Sequence, residues 1–340
     1  MAVYVLRRLL LTVPLLVAVS FLVFAIVTAF PGDPCREKLG QHPSDEAMAG
    51  CRAQLHLDEP FLERYATFLR GALRLDFGND LFTGEDVGRD ILQKLPATIE
   101  LSLAALAIAT LVGIAIGTRS ALRPGGWSDL VGQVLSLGGV SIPVFWLGMM
   151  LIALFGVKLG WLPFSGWTPS QIGPGVEYST SFLFGESLVR GEWGAVGRAL
   201  EHLVLPALAL STIPMATITR MTRSAILEEV KRDYVTTARA KGLSERRVIG
   251  RHVRRNALIP VVTITGLQLG TLLSGAVLTE RVFSWPGLGT HLVNAAGRRN
   301  YPVILACMLL FTVMFVLINL VVDVLYHLID PRIRTAPRSR

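Results

Sequence analysis

The residues that could move a proton or hold an ion stand at the edges of the long apolar runs of this chain. Glu100, Glu201, Glu280 and Asp323 are near run ends, as are His202, His291 and His327. Ion-coupled transport needs carboxylates or imidazoles deep in the membrane, where they bind and release the coupling ion. Carboxylates at span ends predict groups solvated by interfacial water, and the histidines there predict interfacial anchors. Nucleotide hydrolysis fares no better, because the sequence has no GxxxxGK[ST] loop to cradle phosphates. HExxH, metal-spaced Cys and His clusters and a GxSxG elbow are missing too. The expectation is a chain with no catalytic residue, no metal site and no cofactor: not an enzyme. A channel is weakly supported, since no ring of charges or repeated filter sequence occurs.

The elements that would carry these residues are membrane helices. Of 340 residues, 51% are hydrophobic and only 17% charged, too apolar for an ordinary soluble chain of this length. Uncharged runs at about 9–30, 101–118, 130–157, 203–219, 257–279 and 302–322 are each long enough to cross a hydrocarbon core. The spacing therefore predicts an all-α membrane protein of six transmembrane helices in a single domain, 1–340. The first run follows Arg7 and Arg8, exceeds a secretory h-region and ends on Phe30-Pro31-Gly32-Asp33, which is no small-residue cleavage site. It reads as a retained helix. Pro143, Pro206 and Pro214 predict kinks.

Basic residues orient the bundle. Arg220, Arg223, Lys231, Arg232, Arg239, Lys241 and a further run at 246–255 crowd one inter-span segment, 220–256, which the positive-inside tendency places in the cytoplasm. With six spans the N-terminus, the Arg119 and Arg123 loop and the tail 332–340 fall on that same side. The net charge of +8 thus belongs mostly to a cytoplasmic face suited to anionic membrane lipid, and nucleic acid is not needed to explain it.

On the other side, residues 31–96 form an extracytoplasmic loop too long to be a simple connector. Within it Phe61, Leu62, Tyr65, Phe68, Leu69, Ala72 and Leu73 fall in an arc of about 140° at helical spacing, predicting an amphipathic helix that packs on neighbouring spans. Cys35 and Cys51 share this loop, where an oxidising compartment permits a disulfide; two free thiols are the alternative.

Inside segment 220–256, residues 228–242 read as a short helix ended by Gly242, with Ser244 and Glu245 starting a second. Small residues Ala238, Ala240 and Gly242 would let another surface approach this hairpin closely, and flanking bases could pair with acids on it. A solvated basic face held near lipid is the other reading.

The strings Asp233-Tyr234-Val235-Thr236-Thr237-Ala238-Arg239-Ala240-Lys241-Gly242 and Arg251-His252-Val253-Arg254-Arg255-Asn256-Ala257-Leu258-Ile259-Pro260 resemble the EAA region of ABC importer permeases. More closely, the chain is similar to the B-type permease of dipeptide, oligopeptide and nickel importers. Tyr4-Val5-Leu6-Arg7-Arg8, Pro31-Gly32-Asp33-Pro34, Leu95-Pro96-Ala97-Thr98-Ile99-Glu100-Leu101, Phe283-Ser284-Trp285-Pro286-Gly287-Leu288-Gly289 and Asp330-Pro331-Arg332-Ile333-Arg334 extend the likeness over nearly the whole chain. Thr236-Thr237-Ala238 stands where Glu-Ala-Ala is usual, so the Glu of the general motif has no counterpart.

The resemblance implies the type I importer permease fold. It also implies a second homologous permease, two cytoplasmic ATPase subunits and an extracytoplasmic substrate-binding protein as partners. The hairpin would be the ATPase-coupling element, comprising Asp233, Tyr234, Ala238, Arg239, Ala240, Lys241 and Gly242, with docking carried over through Ala238 and Gly242. Trp285-Pro286-Gly287-Leu288-Gly289 would shape a turn at the outer mouth, a structural role with substrate recognition as the alternative. The implied cargo is di- or oligopeptide; nickel or another small solute is the alternative, and an ion-coupled secondary transporter is the rival outside this class.

Overall fold

The computed structural model describes residues 2–29, 32–40 and 42–329. Phe30, Pro31, the Asp330-Pro331-Arg332-Ile333-Arg334 motif and the basic tail lie outside the described residues, as do the side chains of Arg7, Arg8 and His327. Among the described residues the fold is all-helical, with one isolated bridge between Asn79 and Asp86. Five helices among the described residues are long and apolar enough to span a bilayer, and a bent pair makes a sixth if counted as one span. Val87–Leu122 and Trp193–Glu229 have 36 and 37 residues. At 1.5 Å per residue each exceeds a hydrocarbon core of about 30 Å, so they must tilt or project.

The kink expected at Pro143 is borne out as a full break. Pro143 does interrupt the apolar run 130–157: Trp127–Ser141 and Val144–Lys158 are separate helices bent by 107°. Proline disfavours helical backbone at the residue before it, and Ile142 is accordingly extended. Pro206 and Pro214, by contrast, sit inside one continuous helix, Trp193–Glu229.

The chain divides into two compact units. The first comprises Met1–Glu100, Ser165–Ala199 and Ser284–Val316. Its core gathers Val23, Phe24 and Val27 of the first helix with Val87, Ile91, Leu288 and residues 303–307. The amphipathic helix Phe61–Ala72 lies on the first helix: Phe68 stacks on Phe24 at 5.4 Å, and the Tyr65 hydroxyl donates to the Val17 carbonyl at 3.0 Å. Trp285 is no mere turn residue. It is 2% exposed and stacks on Trp167 at 4.2 Å, and its Nε1–H donates to the Ala97 carbonyl at 2.9 Å.

Cys35 and Cys51 are joined in a disulfide between helices Pro34–Leu39 and Asp45–Gln54. Asp33 caps the first of these through the Cys35 N–H and receives Arg52 at 2.9 Å; Ser44 caps the second. Closing a loop of 16 residues contributes about 3 kcal/mol in the chain-entropy account. Cys51→Ser is therefore expected to speed amide exchange across residues 34–54 by about a hundredfold, with the spans unchanged; hydrogen exchange in detergent with and without reductant measures it.

Two carboxylates expected to be solvated by interfacial water are buried instead. Glu100 lies within helix Val87–Leu122, not at its start, and is 3% exposed. Its Oε1 accepts the Gly185 N–H at 2.8 Å, at the positive end of helix Leu183–Arg190. Glu280, in the second unit, lies within helix Arg254–Val282 and is fully buried. His291 is likewise no anchor: its Nε2 sits 2.9 Å from Asp90 Oδ2, both mostly buried, and Lys94 also pairs with Asp90.

The second unit comprises Leu101–Phe164, Leu200–Phe283 and Leu317–Arg340. Its helices cross closely at glycine. A Cβ on Gly117 would lie 2.6 Å from the Thr219 carbonyl oxygen, so only hydrogen fits there.

Candidate functional site: the hairpin at 230–253

The hairpin grows directly from the end of helix Trp193–Glu229. Val230 N–H donates to the Ile226 carbonyl and Arg232 N–H to that of Glu229, so the turn tightens before the helix Asp233–Ala240 begins. That helix ends on Lys241 and Gly242, whose φ of +76° is the left-handed conformation glycine tolerates best. A short helix Glu245–Arg247 and a π-helical stretch Val248–Val253 then lead into Arg254–Val282.

Spacing sets its two faces. Val235 and Ala238, three apart, turn inward and pack with Ala121, Ile226, Val248, Val253 and Ala257. Asp233, Arg239, Ala240, Lys241 and Gly242 are exposed. Ala238 therefore differs from its expected role: at 7% exposure it is a spacer against the chain's own core, and the small residues left outside are Ala240 and Gly242. Polar bonds pin both ends. Arg239 Nε donates to Glu245 Oε1 at 2.7 Å across the Gly242 turn. The Tyr234 hydroxyl donates to Glu229 at 2.7 Å and accepts from Asn256 at 3.1 Å. Burial, and then the bond to Glu229, hold that hydroxyl above the ordinary tyrosine pKa, so it stays a donor. Beside the hairpin runs a cleft of about 810 Å³, lined by Leu122, Leu227, Val230, Arg246 and Arg254 among others.

Sequence reasoning missed the ion pair behind this hairpin. Asp129, 3% exposed at its side chain, accepts Arg223 Nε at 2.7 Å and Nη2 at 3.0 Å. It also accepts the Ser120 hydroxyl and the Gly125 N–H. Arg223 was visible only as one base among many, and nothing local pairs it with a residue 94 positions away. Removing one partner of such a pair typically costs on the order of 3–5 kcal/mol.

Described residues that are all-helical, with this many bilayer-length helices and a compact hairpin between two of them, belong to a polytopic membrane subunit. Comparison with known proteins makes the class specific. Residues 109–335 match the family described as binding-protein-dependent transport system inner membrane component, and residues 1–102 match its N-terminal companion family. The chain is 46% identical over 332 residues to the di/tripeptide transport system permease protein DppB of Pseudomonas aeruginosa (strain UCBPP-PA14), covering 97% of this chain and 98% of that protein. It is 43% identical to the dipeptide transport system permease protein DppB of Escherichia coli (strain K12), and 40% to the glutathione transport system permease protein GsiC of Salmonella typhi, each with the same coverage. A crystal structure of an amino acid ABC transporter with histidines superposes with a TM-score of 0.50 at 13% identity, covering 70% of this chain and 94% of that one, which speaks to fold alone. The chain belongs to the binding-protein-dependent transport system inner membrane components, as a B-type permease with the type I importer fold.

Proposed function

We propose that this chain forms half of a translocation path for di- or oligopeptides in an ATP-driven importer, and that its hairpin docks on a cytoplasmic ATPase subunit. Peptide as cargo is supported by the names of its relatives at 46 and 43% identity. The partners are a second homologous permease, two ATPase subunits and an extracytoplasmic binding protein. Both termini face the cytoplasm, a reading supported by the basic residues crowded into 220–256.

The observation that carries the docking role is the hairpin's division of labour. Its apolar face is consumed within the chain, while Ala240, Lys241 and Gly242 present a low, basic surface outward. ATP-driven closure of the ATPases would push on this seated element, and the spans would swing between outward and inward access.

Gly242 offers the test. A Cβ there meets nothing within 4 Å, so inside this chain Gly242→Ala costs only left-handed backbone strain, about 1–2 kcal/mol. Gly242→Arg adds the same strain plus bulk on the outer surface. Wild type is expected to capture candidate ATPase subunits in detergent and to show substrate-stimulated hydrolysis after reconstitution. Gly242→Ala should retain most of both, and Gly242→Arg should lose both with the fold intact. An arginine variant that binds and couples normally, or a wild-type chain that recruits no ATPase and transports alone, overturns the reading.

A further inference from the structure

We propose that Asp129 and Arg223 are positioning residues that form a strut, carrying displacement of the hairpin to the broken helix pair Trp127–Ser141 and Val144–Lys158; this rests on the docking role proposed above. Arg223 lies on the same continuous helix that ends at Glu229, roughly two turns before the hairpin. The turn between them is hydrogen-bonded, and the bond from Tyr234 to Glu229 ties the hairpin to that helix end. A push on the hairpin therefore moves the carrier of Arg223.

The guanidinium fork grips both oxygens of Asp129, fixing angle as well as distance. The same carboxylate holds Ser120, at the end of Val87–Leu122, and Gly125, in the turn that follows. One buried group thus gathers three chain segments at the base of Trp127–Ser141. Beyond that helix comes the 107° break at Pro143, where the backbone is already non-helical and rotation costs least. Apolar packing between these helices can slide; a bidentate ion pair resists sliding.

Because a buried ion pair replaced by apolar side chains of similar size can leave stability intact, the strut is separable from a purely stabilising role. The experiment compares wild type, Arg223→Lys and the double variant Asp129→Leu with Arg223→Met, each co-assembled with the ATPases and second permease. In proteoliposomes, peptide uptake per ATP hydrolysed is measured beside the amount of assembled complex. The double variant is expected to assemble and hydrolyse ATP while uptake per ATP falls about tenfold. Arg223→Lys keeps the charge but loses the fork, and should assemble with uptake per ATP lowered about threefold. A wild-type ratio in either assembled variant overturns the strut while leaving hairpin docking in place. Wild type that recruits no ATPase overturns docking and the strut together.

Discussion

Val235→Asp is expected to abolish transport while leaving the membrane helices folded. Val235 has no exposed surface and packs among Ile226, Val248, Val253 and Ala257. A carboxylate there loses its hydration, and an ionised group without a partner in such a place costs several kcal/mol. The helix Asp233–Ala240 has only eight residues and cannot hold itself without tertiary support. It must swing out or melt to rehydrate the charge, and the surface proposed to dock loses its fixed pose. Val235→Ala, which removes two methyl groups, should cost about 1–2 kcal/mol and leave transport measurable. Uptake in proteoliposomes reads the functional loss. Trypsin reads the structural one, since Lys231, Arg232, Arg239 and Lys241 are exposed and become cleavable once the backbone unfolds. An aspartate variant that transports normally and resists trypsin like wild type would show that the hairpin's inner face does not fix it.

What was legible in the sequence was what is written locally. Uncharged runs mark helices, and the periodic apolar residues at 61–73 mark a helix that does pack on the first one, through Phe24 and Tyr65. The glycine stop at Gly242 is legible for the same reason, because chirality restricts left-handed backbone at any position. Pairings were not legible. Nothing in the neighbourhood of Asp129 predicts Arg223, and nothing near Trp285 predicts that its ring stacks on Trp167. Glu100 shows the related error: read from distance along the chain it belonged in interfacial water, yet the positive end of a later helix arrives there and donates the Gly185 N–H to it. Ala238 shows a subtler one, since small size is what both a docking surface and a tight internal contact require. Only its three-residue spacing from Val235 tells them apart, and then only once the core is known to lie on that side.

Trp285→Ala should be the most destabilising single truncation in the first unit. The side chain is 2% exposed, and its replacement opens a cavity where the Trp167 ring loses its stacking partner at 4.2 Å. Trp→Ala changes in well-packed cores cost about 3–5 kcal/mol. A second effect adds to the void. The Trp285 N–H donates to the Ala97 carbonyl, and one turn on, the Thr98 hydroxyl oxygen accepts the Leu288 N–H at 2.8 Å. These two bonds seat the start of helix Leu288–Gly297, whose first residue belongs to the core with Val87 and Ile91. Losing the tryptophan therefore loosens a helix entrance as well as a ring stack. Trp285→Phe separates the contributions: it keeps much of the stack and forfeits the N–H, for an expected cost of about 1–3 kcal/mol. Thermal unfolding in detergent should rank wild type above Trp285→Phe above Trp285→Ala, and hydrogen exchange should show the opening concentrated at 285–297. Equal melting of the two variants would place the whole effect in the hydrogen bond, and a wild-type melt for the alanine variant would mean the stack contributes nothing to holding this unit together.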